Sequence, residues 1–191
     1  MRVITGTARG MTLRSPKGMQ TRPTLDQVKE AIFSAIQFET EGRRVLDLFA
    51  GSGQLGIEAL SRGAKSAVFT DRQPQAISVI RENLDKTGLA EKARVIRTDF
   101  VTFLTNCTEK FDIILLDPPY EENFLEITLK LISEIDILSN DGIIICESEN
   151  NKVLRKSFCK LKITKEYHYG RAKVTFYRKD SDNDCDLSGQ L

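Results

Sequence analysis

Four aspartates in this 191-residue chain close or follow short apolar runs. Asp47 follows Val45-Leu46, Asp71 follows Ala67-Val68-Phe69-Thr70, Asp99 comes soon after Arg94-Val95-Ile96, and Asp117 follows Ile113-Ile114-Leu115-Leu116. Asp117 leads directly into Pro118-Pro119-Tyr120. Consecutive prolines fix the backbone and bar Asp117 from a helix. They also release the Pro118 carbonyl from any ladder role. A carboxylate and a carbonyl on one rigid loop can accept both N–H bonds of a single NH2 group. Tyr120 adds a flat face on which a base can stack, worth ~1–3 kcal/mol in single-stranded sites. Methyl transfer to an exocyclic base amine needs these groups. The amine lone pair is delocalised into the ring, and acceptors on both protons favour the pyramidal nitrogen and stabilise its developing positive charge. The donor must lie in line with that nitrogen, so positioning supplies much of the rate, and the base must leave its stack to enter. Asp117, Pro118, Pro119 and Tyr120 are therefore the catalytic candidates.

A second constellation is Gly51-x-Gly53-x-x-Gly56, which follows the Val45–Phe49 run and opens a helical stripe of Leu55, Ala59 and Leu60. Strand, glycine turn and helix form the opening of a nucleotide-binding βαβ unit, with free amides and a positive dipole end at the helix start. Asp71 follows Gly51 at the spacing of a ribose-binding acid. The glycines alone leave NAD and other adenosine-containing cofactors open. Asp47 tilts the choice, because a carboxylate at that strand end repels a diphosphate and attracts a cation. S-adenosylmethionine carries a sulfonium and an ammonium and no phosphate. Asp99 is placed for an adenine amino group, and it also reads as the N-cap of a short helix through Phe103 and Leu104.

The elements that must position these residues alternate strand and helix, which predicts an α/β fold with a parallel sheet. Val28, Ala31, Ile32, Ala35 and Ile36 mark a helix running from a Thr24 cap through Phe38. Pro74 starts a helix that stops at Gly88. Another helix runs to about Ile135, Asn140-Asp141-Gly142 reads as a turn, and Ile143–Glu147 as a strand. Val153–Phe158 reads as a short helix. Leu161–Tyr169 and Lys173–Arg178 read as antiparallel strands joined at Gly170. Residues 1–20 form a basic N-terminal arm or hairpin outside the main fold, 21–179 the Rossmann-like domain, and 180–191 an acidic, disordered tail.

No apolar run is long enough to span a membrane, and no signal-peptide core is present. The four cysteines lack CxxC spacing and read as reduced thiols of a cytoplasmic protein, with Cys146 in the core. A single histidine argues against a histidine metal site or a Ser-His triad. The net charge of +1 hides segregation, because Lys152–Lys179 holds ten Lys and Arg against Glu166 alone, and the first 29 residues are basic too. Basic ends around an acidic middle suggest an anionic macromolecule held by both termini. Arg2, Arg9, Arg14, Lys17, Arg171 and Lys173 are the RNA-binding candidates.

The sequence resembles the bacterial RsmD-like methyltransferases. The likeness runs from about Arg2 to Tyr177. It includes Arg2-Val3-Ile4-x-Gly6-x-x-Arg9-Gly10-x-x-Leu13, Thr21-Arg22-Pro23-Thr24, Leu46–Gly53, Glu58–Ala64, Asp117–Tyr120 and Tyr169-Gly170. The arm and the Arg-Pro-Thr stretch are the most specific part. The resemblance implies a class I S-adenosylmethionine-dependent methyltransferase fold, a Rossmann-like seven-stranded sheet with its last strands antiparallel. It implies cofactor contacts from Arg22, Thr24, Asp47, Phe49, Gly51, Gly53, Asp71, Asp99 and Phe100. From its residues alone, Arg22 reads as a surface arginine beside a helix cap. The resemblance also implies methylation of a guanine N2 in small-subunit (16S) ribosomal RNA. The expected partner is that RNA or a 30S-type particle, and the protein is expected to be a monomer with neither metal nor membrane.

Three alternatives stand beside this one. An adenine-N6 DNA methyltransferase uses a similar Pro-Pro-Tyr loop, although the chain leaves no room for a DNA-recognition domain. An NAD-dependent oxidoreductase lacks a second catalytic domain here. A non-catalytic RNA-binding protein has no need of acids at every predicted ligand position.

Overall fold

The apolar runs pair into a single eight-stranded sheet of order β3-β2-β1-β4-β5-β8-β7-β6. The computed structural model describes residues 1–16, 24–119 and 123–180. Its strands are β1 (Arg44–Asp47), β2 (Ser66–Asp71), β3 (Ala93–Arg97), β4 (Phe111–Leu116), β5 (Leu138–Glu149), β6 (Ser157–Phe158), β7 (Leu161–Tyr169) and β8 (Ala172–Lys179). The helices are α1 (Thr24–Ala35), α2 (Gln54–Ser61), α3 (Pro74–Thr87), α4 (Phe100–Asn106) and α5 (Phe124–Ile135). Strands β1 to β5 run parallel, and β6 to β8 are antiparallel. This is the class I methyltransferase architecture. The eighth strand, β6, adds two residues to the expected seven-stranded sheet.

Alternation along each strand splits the core into two layers. Val45, Ile113, Leu115, Ile143 and Phe176 join the cluster under α1, α2 and α3. Leu46, Ile114, Leu116, Ile144 and Tyr177 join the cluster that takes in Leu104 of α4 and Leu125, Leu129 and Ile132 of α5. The strand order reverses between β1 and β4, and a crevice outside the carboxyl ends of strands at such a point is the usual ligand site of open α/β sheets.

Several local expectations change. The N-terminal arm is not outside the fold, because Val3, Ala8 and Leu13 are buried in the first core layer. The arm lies against α2 so closely that a Cβ on Gly6 would stand 1.7 Å from the Ser61 carbonyl oxygen. The helix expected over Val153–Phe158 is absent. Leu154 and Phe158 have helical spacing, but Leu154 reaches the core from irregular chain and Phe158 from β6, where it pairs with Leu161. Asn140-Asp141-Gly142 lies inside β5, where the register with β4 jumps from Phe111↔Leu138 to Ile113↔Ile143. The first helix closes at Ala35, short of Phe38. Cys107 and Cys146 are free thiols. Cys159 is disulfide-bonded, a spatial relation that cysteine spacing does not reveal.

Candidate active site

Each parallel strand delivers an acid to the same edge of the sheet. Asp47 ends β1 with only 1% of its surface exposed. Its Oδ2 accepts the Gly56 N–H at 2.9 Å, which ties the strand end to the first turn of α2. Burial pushes its pKa up to about 7; the Gly56 bond opposes the rise and the nearby Asp71 charge adds to it. Gly56 is fixed by packing as well, since a Cβ there would lie 2.2 Å from the Phe69 ring. The third glycine of the fingerprint therefore serves helix–sheet contact.

Asp71 ends β2 and holds both walls of the crevice. Its Oδ2 accepts from Gly51 N at 3.0 Å and its Oδ1 from Gln73 N at 2.8 Å. Asp99 caps α4 through Oδ1, which accepts from Thr102 N at 2.9 Å, and Oδ2, which accepts from the Thr102 hydroxyl at 2.6 Å. The Thr102 hydroxyl bond and then its amide hold the Asp99 carboxyl below the usual carboxylate range. Each oxygen keeps a second lone pair, so capping leaves the group able to accept from a ligand.

One cavity of about 610 Å³ collects these groups, a size suited to a nucleoside-type ligand. Asp47, Phe49, Gly51, Asp71, Asp99, Phe100, Asp117, Pro118 and Pro119 all line it. Gly53 sits at the N-cap of α2 and donates its N–H to Ala50 O at 2.6 Å, closing the turn. Phe49, Phe100 and Phe124 form an aromatic wall, with ring centroids 5.3 Å apart for Phe49–Phe100 and 5.1 Å for Phe100–Phe124.

Sequence reasoning missed five contributors. Phe124 opens α5 and completes the wall. Glu147 lines the cavity from β5, and the strand-end rule that selected the aspartates applies to it equally. Met1 and Ser15 bring the arm to the cavity wall, which no local pattern foretells. Gln54 also lines the cavity, and its buried Oε1 has no hydrogen-bond partner among the described residues. A buried acceptor of this kind calls for a donor from a ligand.

Of the remaining candidates, Thr24 opens α1. Lys17, Arg22 and Tyr120 lie outside the described residues. Arg2, Arg9 and Arg171 are exposed, and Arg14 is exposed but paired with Glu82. Lys173 is a correction to the RNA-binding set. It is 5% exposed, and its ammonium lies 3.2 Å from Glu166 and donates to the Lys152 carbonyl. The cause is its strand, since β8 lies between β5 and β7 and is covered on both faces.

Comparison with known proteins agrees with the fold. The family model described as "Conserved hypothetical protein 95" matches residues 1–178. The chain is 42% identical over 182 residues to the "Putative rRNA methyltransferase YlbH" of Bacillus subtilis, covering 94% of this chain and 99% of the relative. It is 31% identical over 186 residues to the ribosomal RNA small subunit methyltransferase D of Escherichia coli K12, covering 97% and 93%. A solved structure titled "Putative methyltransferase yhhF from Escherichia coli" superposes with a TM-score of 0.85 at 29% identity, covering 94% of this chain and 98% of that one.

Proposed function

The chain belongs to the RsmD family of ribosomal RNA methyltransferases, and from that premise we propose that it methylates the exocyclic N2 of one guanine in small-subunit (16S) ribosomal RNA, with S-adenosylmethionine as donor. The observation that carries the reading is the meeting of Asp47, Asp71, Asp99 and Asp117 with Pro118 in one cavity.

The residues fit the donor. Gln54 Oε1 is a buried acceptor in want of a hydrogen, and Asp47, which lines the same cavity, favours a cation when ionised. Together they would hold an ammonium, Asp71 a ribose diol, and Asp99 with Phe100 an adenine; Arg22 would meet the carboxylate. S-adenosylmethionine, when bound, supplies an electrophilic methyl group. Asp117 and the Pro118 carbonyl accept the two amine hydrogens of the target base and hold its nitrogen toward the cavity. Tyr120 stacks on the base. Asp117 then takes the proton released by the methylated amine.

Labelled methyl transfer to small ribosomal subunits, and to free small-subunit RNA, from a strain lacking this protein tests the reading. Label on the N2 of one guanine is expected. Label on an adenine N6 would move the assignment to the adenine alternative, and no label with cofactor binding intact would leave a non-catalytic RNA-binding protein.

A further inference from the structure

The loop joining β5 to β6, residues 150–156, presents an apolar tip that the proposed chemistry does not use. Val153 is 86% exposed. A lone exposed valine is ordinary, but the loop around it is held at several points. Lys152 N–H donates to Glu149 O at 3.0 Å, and Lys152 O accepts from the Lys173 ammonium. Leu154 is 3% exposed in the second core layer. The Arg155 carbonyl accepts the Tyr177 hydroxyl at 2.7 Å, and Lys156 O accepts Ile163 N–H at 3.0 Å. Lys173 and Tyr177 are 5% and 0% exposed, so two buried polar side chains of β8 direct their polar atoms to this loop. The outward valine is thus a fixed feature of the surface.

Its position matters more than its exposure. Lys152, the preceding residue, lines a small recess together with Pro118, Pro119 and Glu147, and those three also line the main cavity. The tip therefore follows directly on a residue of the recess that adjoins the cavity a target base would enter. Arg155 and Lys156 follow it, both exposed, and the Arg171 carbonyl of the β7–β8 turn accepts the Asn150 N–H at 2.8 Å.

We infer that Val153 is a wedge that occupies the gap left in the RNA stack when the target base enters the cavity. The inference rests on the base-methylation reading. A base leaving its stack exposes two apolar ring faces. A short β-branched side chain fills that gap with little rotamer entropy to lose, as apolar wedges do between base steps. The cations beside it meet the flanking phosphates. Lys173 and Tyr177 act as positioning residues that hold the wedge.

The test is single-turnover methyl transfer to unmodified small ribosomal subunits at saturating RNA, with full-length wild type, Val153→Ala and Val153→Leu. Val153→Ala is expected to lose about tenfold in rate, the worth of two methyl groups buried against a base. Val153→Leu is expected to stay near wild type. Melting temperature and S-adenosylmethionine affinity should be unchanged in both, since the side chain supports neither. A wild-type rate in Val153→Ala overturns the wedge. So does an equal deficit in Val153→Leu, or a deficit that tracks reduced stability or cofactor affinity. If wild type labels a base other than guanine, the function reading falls while the same variant ratio still judges the wedge. If wild type labels no RNA, both fall.

Discussion

Asp47 sits inside the protein with a pKa of about 7 against an ordinary value of 3.8. Between those values the folded state holds a proton that the unfolded state has released. The group therefore costs no stability below about pH 4, costs more as pH rises, and reaches a full cost on the order of 4 kcal/mol above about pH 7. Asp47→Asn removes that charge and can still accept from Gly56. Without ligand it should be more stable than wild type at pH 8, with the gap closing toward pH 4 in urea unfolding curves. Wild-type affinity for the cationic cofactor should rise with pH through about 7, and the rise should vanish in Asp47→Asn. In the proposed reaction Asp117 has the complementary role, acting on the base. Asp117→Ala should lower the transfer rate about 10²–10³-fold, the loss typical of removing one transition-state hydrogen-bonding group. Calorimetric cofactor affinity should stay within about twofold of wild type.

At the scale of elements, the N-terminal arm is built into the cavity-bearing side of the protein. Glu58 of α2 is fully buried and accepts Ile4 N–H at 2.7 Å, Thr5 N–H at 3.0 Å and the Arg62 Nε at 2.8 Å. The Lys29 ammonium lies 3.9 Å away and donates to the Arg2 carbonyl at 2.5 Å. Asn83 of α3 continues the tie. Its Oδ1 accepts Arg14 N–H at 2.8 Å, while its Nδ2 donates to Arg14 O at 3.0 Å and to Ser52 O of the glycine turn at 2.9 Å. Glu58→Ala would strand a buried lysine, an arginine and two amides. It should destabilise the fold by about 3–5 kcal/mol, read by chemical denaturation, and expose the arm to proteolysis before global unfolding. In the sequence, Glu58 is visible only as part of the family-like Glu58–Ala64 stretch. Its role is invisible there because the arm amides it holds stand more than 50 positions away.

Across the whole molecule, the sheet order brings the acid-bearing strand ends to one edge, and exposed basic side chains outside it are the proposed RNA contacts. With Lys173 turned inward, the exposed cations Arg9 and Arg171 remain as test positions. The double charge reversal Arg9→Glu/Arg171→Glu should weaken RNA binding. It should also reduce the slope of log affinity against log salt by about one for each phosphate that is no longer neutralised. Cofactor affinity should not change. Unchanged RNA affinity and slope would move the docking surface elsewhere.

The sequence by itself determined the alternation of strand and helix, the turn at Gly51–Gly53, the acids at the strand ends and the rigid Asp-Pro-Pro corner, because periodicity and turn chemistry act over a few residues. Tertiary structure alone decided which of those acids share a cavity, and it added Gln54, Phe124, Glu147 and the arm to its walls. It also buried Lys173 by setting β8 between β5 and β7. It turned a helical-looking Val153–Phe158 into a non-helical loop and short strand with an exposed tip, because Leu154 and Phe158 reach the core without a helix. Hydrophobic pattern states that a residue has an apolar face. What covers that face depends on strand order and on packing between distant segments, and those are settled only when the whole chain folds.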